Sequence, residues 1–338
     1  MTKTEKLNAL LSGVKHDDSI LFHPIFMHFA ARFNGNKYAE FASDYRVLVE
    51  SNVKCIEYFE HDAVMLLSDP FRETSAFGAD IYYPEDAVPR CREHIIKSLE
   101  DIKKLNNPDV YKNERTLDRI KGTEYFKKLL GDSIPVIGWV EGPLAEACDL
   151  AGVNEILLNI AIEPDFVKFL MEKCLVTAKD FAKAQTEAGC YVIGVGDAIC
   201  SQISAEMYRE YVLPLHNDLF DFIHSLGAFV KLHICGNITH LLPEIGKLPV
   251  DILDIDWLVD LDEAFKNIGK KTAACGNLDP VRDIMKLTPD EIYLKSTELI
   301  QKHGNDKFIL SGGCEITVDT PYENIISMKK AALKGGKK

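Results

Sequence analysis

The chain has 338 residues, of which 46% are hydrophobic and 27% charged, and its formal net charge is −13. This composition is typical of a globular protein, and the acid excess argues against a nucleic-acid partner, because phosphate binding needs clustered Lys and Arg. No apolar stretch reaches the about 18 residues that cross a bilayer, and the N-terminus MTKTEKLNAL lacks the apolar core of a secretory signal. We therefore expect a cytoplasmic protein without membrane contact, in which the nine cysteines are reduced.

Eight short β-rich runs alternate with longer helical patterns along the chain. They are 25–29, 63–69, 135–142, 191–197, 229–236, 252–257, 272–279 and 308–315. Several are continuous apolar runs, as is typical of parallel strands covered by helices. The pattern predicts an α/β fold, a (β/α)8 TIM barrel, as a single domain over 1–338 with a helical extension over 1–20. Residues 71–133 are too many for one crossover helix and predict a helical insertion near the barrel mouth.

Polar residues gather at the C-terminal ends of these predicted strands, where barrel enzymes place their active sites. In chain order they are His28, Asp69, Glu141, Asp197, His233, Cys235, Asp256, Asn277, Asp279, Cys314 and Glu315. We expect the active site to be built from this set.

Three of these residues are of the types that zinc prefers as ligands. His233 and Cys235 stand two positions apart on the fifth run, so both side chains face the same side, and Cys314 ends the eighth run. One imidazole and two thiolates suit zinc, and three protein ligands leave a fourth position open. Taken singly, each residue also fits ordinary core packing, as we expect for the other cysteines, and Cys275 is an alternative ligand.

The carboxylates allow two interpretations each. Asp69 can cap the helix that follows it, and Glu141 and Asp197 can accept hydrogen bonds from loop amides instead of contacting substrate. Asp254 and Asp256 alternate with apolar residues, so both should face one side of the sixth strand. A buried acid there needs a partner, which a zinc-bound histidine would supply.

The stretches VEGPLAEA, MYREYVLP, HICGN, DIDW, GNLDP and GGCEI resemble landmarks of the uroporphyrinogen decarboxylase-like superfamily over residues 20–330. Its metal-free decarboxylases carry an arginine motif after strand one, an aspartate after strand two and a C-terminal histidine between glycines. Here Arg32 and Asp69 match, whereas His28 replaces the first arginine and Cys314 stands near the place of the histidine. These departures argue against decarboxylation of a porphyrinogen. Arg32 and Arg72 can still bind an anionic substrate tail or form surface salt bridges.

His-x-Cys followed by a distant cysteine resembles another branch, the zinc-dependent corrinoid methyltransferases, which include the methylcobamide:coenzyme M methyltransferases. The resemblance implies that His233, Cys235 and Cys314 bind zinc. It further implies methyl transfer between a corrinoid protein and a small-molecule thiol held as zinc thiolate. Because the chain lacks an Asp-x-His-x-x-Gly pattern, we expect methylcobalamin or another corrinoid to arrive on a partner protein. We assign the remaining strand-end residues to catalysis (Asp69, Asp256, Glu141) and to substrate binding (His28, Arg32, Asp197, Asn277).

Two other activities remain open at this point. One is transfer of a methyl group from a methyl ether or alcohol to the corrinoid, and the other is metal-free decarboxylation. The His-Cys-Cys set favours the thiol reaction, because two thiolates and a neutral imidazole balance the charge of zinc and leave a bound sulfur electron-rich.

Overall fold

The structure is a computed structural model that describes residues 1–14 and 19–335. Ten strands lie in these residues: β1 (Leu21–Phe22), β2 (Val64–Met65), β3 (Ile81–Tyr82), β4 (Arg90–Cys91), β5 (Val136–Glu141), β6 (Val192–Gly196), β7 (Phe229–His233), β8 (Ile252–Ile255), β9 (Ala273–Leu278) and β10 (Phe308–Gly312). β3 and β4 pair with each other in antiparallel fashion, and the other eight form one sheet in the order β1-β10-β9-β8-β7-β6-β5-β2. All pairs in that sheet are parallel.

Sixteen α-helices occur in the described residues and cover the outside of the sheet. They are α1 (Lys3–Leu11), α2 (His28–Phe33), α3 (Tyr38–Ser43), α4 (Tyr45–Phe59), α5 (Arg72–Ala76), α6 (Leu99–Lys104), α7 (Glu114–Leu130), α8 (Pro143–Ala151), α9 (Val153–Ile162), α10 (Pro164–Ala188), α11 (Ala205–Met207), α12 (Leu213–Ser225), α13 (Leu242–Ile245), α14 (Leu261–Ile268), α15 (Pro289–His303) and α16 (Tyr322–Lys334). No helix among the described residues is long and apolar enough to cross a membrane.

The sheet curls into the predicted (β/α)8 barrel. Every residue of β5, β6, β8 and β10 is buried in the barrel. This burial explains why these runs are mostly apolar in sequence. The first and second strands are joined through Asp62: its N–H donates to the Phe22 carbonyl over 2.8 Å, and its carboxylate accepts from the Phe22 N–H over 2.8 Å. This double contact closes the gap between the two ends of the sheet.

The first strand lies earlier than predicted. β1 covers Leu21–Phe22, whereas residues 25–29 contain a single bridge, from Ile25 to Glu315, and the start of α2. The apolar residues of this run pack into an aromatic cluster with Phe59 and Tyr322 instead of continuing the strand. A short apolar run of this kind does not distinguish a buried strand from a buried helix.

The predicted helical extension over 1–20 contains α1, while residues 15–18 lie outside the described residues. α1 begins at a capping box, in which Thr2 and Glu5 each bond the other's backbone N–H. Residues 71–133 contain α5, the β3–β4 pair, α6 and α7. The single-domain assignment over 1–338 stays a prediction, and its last residues, 336–338, also lie outside the described part.

Candidate metal centre at the barrel mouth

The three predicted metal ligands meet at the C-terminal end of the barrel. His233 ends β7, Ile234 turns into the core with 1% of its surface exposed, and Cys235 returns to the side of His233. His233 Nε2 lies 2.9 Å from Cys235 Sγ, and Cys235 Sγ lies 3.6 Å from the Sγ of Cys314, which follows β10. The ligand atoms of all three residues lie within 4.8 Å of one another. A single ion can therefore reach all three.

A buried chain of polar contacts orients the imidazole. Asp254 Oδ2 lies 2.8 Å from His233 Nδ1, which leaves Nε2 directed at the two sulfurs. On its other oxygen Asp254 forms an ion pair with Lys231, whose side chain is fully buried. Burial alone would raise the pKa of Asp254, but the Lys231 ammonium and the His233 contact hold it well below its usual range. Asp254 is thus a carboxylate that fixes the ring, the arrangement common behind metal-binding histidines.

The pKa values of the two thiols are shifted in opposite directions. The hydrogen bond from Cys235, together with His233, lowers the pKa of Cys314 to about 4. The same hydrogen bond, together with burial, raises the pKa of Cys235. The three ligand atoms share protons at short range, and they lie close enough together for one cation to take the place of those protons. This donor set fits zinc, with room for a fourth ligand.

Trp139 forms the floor under this group. Its ring centroid lies 5.8 Å from that of His233. The indole fits because β6 carries glycines next to it: a Cβ on Gly196 would lie 2.9 Å from Trp139 Nε1, and one on Gly194 would lie 2.3 Å from the ring. The sequence prediction missed both Trp139 and Lys231. The available signal was the two-residue period, since Trp139 precedes Glu141 and Lys231 precedes His233 by two positions.

Glu141 stands level with His233 around the barrel. The strand register pairs Glu141 with Gly196, and Gly196 with His233. Glu141 Oε1 accepts a 2.7 Å hydrogen bond from Arg72, which is fully buried. The alternative that Arg72 forms a surface salt bridge is therefore wrong, because the residue lies inside the protein on α5, while binding of an anionic substrate tail stays a prediction.

Asp69 is held on the other side of Arg72. It accepts from Arg115 over 2.6 Å and from the Phe71 N–H over 3.0 Å, and the Arg72 guanidinium donates to its backbone carbonyl. Burial alone would raise the pKa of Asp69, but Arg115 and Arg72 lower it to about 2. Asp69 is therefore an ionised acid fixed by arginines, and its assignment to catalysis stays a prediction.

The Asp197 side chain is buried and makes its hydrogen bonds within the protein. Its carboxylate accepts from the Ala145 N–H over 2.8 Å and lies 2.9 Å from His216 Nε2, so it holds the start of α8 against β6. Asp197, Cys200 and His216 form a second buried group with metal-like spacing, but the α8 amide and His216 already occupy the Asp197 oxygens. Substrate binding by Asp197 stays a prediction.

Asp256 and Asn277 shape the loops around the metal centre. Asp256 accepts from the Gly236 N–H over 2.8 Å and from the Leu258 N–H over 2.9 Å. The Asn277 side chain donates to the Val259 carbonyl over 2.8 Å. Gly236 follows Cys235 directly, so the Asp256 contact fixes the loop that carries this ligand. The proposed catalytic and substrate-binding roles of the two residues stay predictions.

His28 and Arg32 share one carboxylate at the rim. Asp86 contacts His28 Nε2 over 3.0 Å and Arg32 over 3.0 Å, and the Arg32 side chain is 49% exposed. The His28 N–H donates to Glu315 over 2.9 Å, next to Cys314, and burial raises the pKa of Glu315 to about 7. His28 is thus tied to the metal centre through its backbone, while Arg32 faces solvent.

The remaining cysteines are free thiols. Cys275 is buried on β9 and interacts with Lys231 and Asp254 below the metal centre. Burial raises its pKa to about 12. Cys275 therefore remains a thiol in the core, and Cys314 is the better third ligand.

Comparisons with known proteins agree with this architecture. A family model described as uroporphyrinogen decarboxylase (URO-D) matches residues 2–334. The methylcobamide:CoM methyltransferase MtbA of Methanosarcina mazei is 29% identical over 274 residues, 80% of this chain and 79% of the relative. The uroporphyrinogen decarboxylase of Geobacter sulfurreducens is 26% identical over 292 residues, 82% of each chain. A solved methyltransferase from Methanosarcina mazei superposes with a TM-score of 0.90 at 20% identity, covers 98% of both chains and has the same fold. The chain therefore belongs to the uroporphyrinogen decarboxylase family.

Proposed function

We propose that this protein is a zinc-dependent methyltransferase that moves a methyl group between a corrinoid protein and a small-molecule thiol. The observation that carries the proposal is the convergence of His233, Cys235 and Cys314, with all three ligand atoms within 4.8 Å. The relatives support methyl transfer, since MtbA from Methanosarcina mazei is a methylcobamide:CoM methyltransferase. The nine free cysteines suit a reducing compartment, in agreement with a cytoplasmic location.

The chain's own residues would prepare the site for this reaction. His233, Cys235 and Cys314 would hold zinc, whose Lewis acidity keeps a substrate thiol deprotonated and therefore nucleophilic at neutral pH. Asp254 and Lys231 keep the His233 ring in one orientation. Trp139 closes the floor of the site and excludes water beneath the imidazole. The open side faces the barrel mouth, where a separate corrinoid protein would present its methyl group.

Transfer from a methyl ether or alcohol to the corrinoid is the second candidate. Glu141 favours it, because burial raises the pKa of this carboxyl well above its ordinary value. A protonated acid level with His233 is suited to protonate a leaving alkoxide. The two candidates differ in the resting state that they require of Glu141: an ionised carboxylate accepts a proton from a thiol in the first, and a protonated carboxyl donates one to oxygen in the second.

Metal content and turnover test the proposal together. The purified protein should hold about one zinc per chain, as expected for a three-ligand catalytic site. Cys314→Ala should lose the metal, whereas Cys275→Ala, a matched cysteine change in the core, should keep it. A metal-free wild type with an intact fold would contradict the proposal and leave decarboxylation.

The assay follows the corrin spectrum of methylcobalamin in the presence of the zinc protein and candidate thiols. Demethylation of the corrinoid that depends on both protein and thiol supports the first candidate. Turnover that requires Co(I) and a methyl ether instead identifies the second. The Cys314→Ala variant should be inactive in whichever reaction the wild type performs.

A further inference from the structure

Three buried acids lie close to one another, and two of them, Glu73 and Glu141, also lie against the Arg72 guanidinium. We call Arg72, Glu73, Glu141 and Glu146 the Arg72 cluster. Arg72 is fully buried, Glu73 and Glu146 are 1% and 2% exposed, and the Glu141 side chain is 7% exposed. Arg72 donates to Glu141 over 2.7 Å, and its Nε lies 3.6 Å from Glu73. Glu73 also accepts from the Glu141 N–H over 2.9 Å, and Thr74 donates to Glu146 over 3.1 Å.

The cluster lacks partners for full ionisation. Glu73 Oε2, Glu146 Oε1 and Arg72 Nε are buried without a hydrogen bond. The neighbouring arginines do not help, because Arg115 is paired with Asp69 and Arg119 with Asp118. Three carboxylates against one guanidinium would leave two uncompensated negative charges away from water, which is very costly.

Other charged groups, both acids and arginines, face the cluster. They come from the loop after β2, from α7 and α8 and from the end of β6: Asp69, Arg115, Arg119, Asp149 and Asp197. Asp149 forms no ion pair with a basic side chain among the described residues, and its charge opposes ionisation of Glu141 and Glu146. Burial raises the pKa of Glu73, Glu141 and Glu146. The buried oxygens without hydrogen-bond partners and the excess of acids point the same way, to a cluster that keeps at least one proton.

Glu141 is the member of the Arg72 cluster that faces the proposed metal centre. It shares the barrel level of His233, two strands away, which corresponds to about 10 Å between backbones. Trp139, two residues earlier on β5, contacts His233, so Glu141 continues the same inward face toward the mouth. A thiol that binds the metal centre from the mouth would approach this face, where Glu141 could accept its proton directly or through one water.

We propose that the Arg72 cluster takes up the proton that the substrate thiol loses on binding, with Glu141 as the acceptor. This inference rests on the proposed thiol reaction. The S–H bond breaks, an O–H bond forms on the carboxyl group, and nothing is oxidised or reduced. With one proton the cluster carries a net charge of −1, and the second proton makes it neutral. Proton uptake is therefore favoured by the buried surroundings.

The test counts protons released when a thiol binds. The zinc protein is titrated with 2-mercaptoethanol in calorimetry buffers of different ionisation enthalpy at neutral pH. A metal-bound thiol is fully deprotonated, so without an internal acceptor about one proton appears in solution per thiol bound. We expect the wild type to release less than about half of that and Glu141→Gln to release about one. Glu244→Gln, which alters a buried glutamate bonded to Arg209, should behave as the wild type.

A second measurement examines the protonation of the Arg72 cluster in the absence of thiol. The infrared C=O stretch of a protonated carboxyl should be present in the wild type at neutral pH and diminished in Glu146→Gln. Equal release of about one proton by wild type and Glu141→Gln, or no protonated carboxyl band, overturns the inference while thiol binding still supports the proposed function. A zinc protein that shows the band but binds no thiol overturns both the inference and the proposed function, because no thiol then supplies a proton to the Arg72 cluster.

Discussion

Lys231→Met is the most informative change, because it removes a buried charge that touches no proposed metal ligand. The lysine side chain is fully buried, its partner Asp254 is 6% exposed, and Asp254 in turn holds His233. Methionine fills a similar volume without the ammonium. The substitution leaves Asp254 in the barrel interior with His233 as its remaining charged-group contact.

Two effects of different size follow. Breaking a buried ion pair by removing one partner costs about 3–5 kcal/mol of folding stability, and complete burial of Lys231 places the loss in that range. Loosening the carboxylate behind a metal-binding histidine lowers metal affinity by about 10–100-fold. We therefore expect Lys231→Met to be less stable and also to bind zinc more weakly.

Chelator competition measures the affinity, and urea unfolding of the metal-free protein measures the stability. Lys329→Met is the matched control: Lys329 is 9% exposed and pairs with Asp62 over 3.5 Å, away from the metal centre. The control should lose stability but keep its zinc affinity. If both variants bind zinc equally well, Lys231 does not act on the metal centre through Asp254, and the reasoning fails.

Three further predictions concern separate parts of the molecule. In the metal-free protein, iodoacetamide at a pH of about 6 should alkylate Cys314 and spare Cys235, because the pKa of Cys314 is lowered to about 4 and that of Cys235 is raised. Added zinc should block the alkylation. Peptide mass mapping identifies the alkylated residue. Relative to the wild type, Glu146→Gln should gain stability as pH rises above about 4.3, because the folded wild-type carboxyl keeps a proton that the unfolded chain has released. A difference in the free energy of unfolding in urea that does not change with pH would contradict this. Gly142→Ala should cost about 1–3 kcal/mol without loss of zinc, since its Cβ would lie 2.3 Å from Asp197; a variant as stable as the wild type in the same unfolding experiment would refute the contact.

The sequence predicted the part of the site that follows strand periodicity. His233 and Cys235 share a face because β7 keeps its two-residue alternation up to the barrel mouth. Asp254 faces His233 for the same reason. The alternation continues past the end of β7 to Cys235 but not past the end of β8 at Ile255, where Asp256 follows the loop and binds backbone amides.

Contacts between distant elements were beyond the reach of periodicity. The Arg72 cluster joins α5, β5 and α8, and only Glu141 stands at the end of a predicted strand. The sequence left Arg72 open between substrate binding and a surface salt bridge, because its burial depends on how α5 packs against α7 and α8. The first strand was misplaced for a related reason, since the aromatic cluster around Phe59 decides the conformation of residues 25–29.

The order of the proposed ligands along the chain has a consequence for biosynthesis. His233 and Cys235 leave the ribosome well before Cys314, which follows the last barrel strand. A nascent chain that ends before β10 offers an incomplete ligand set, and its barrel also lacks the strand that lies between β1 and β9. If these residues bind zinc as proposed, the complete ligand set forms only after translation has passed Cys314 and β10 has joined the barrel.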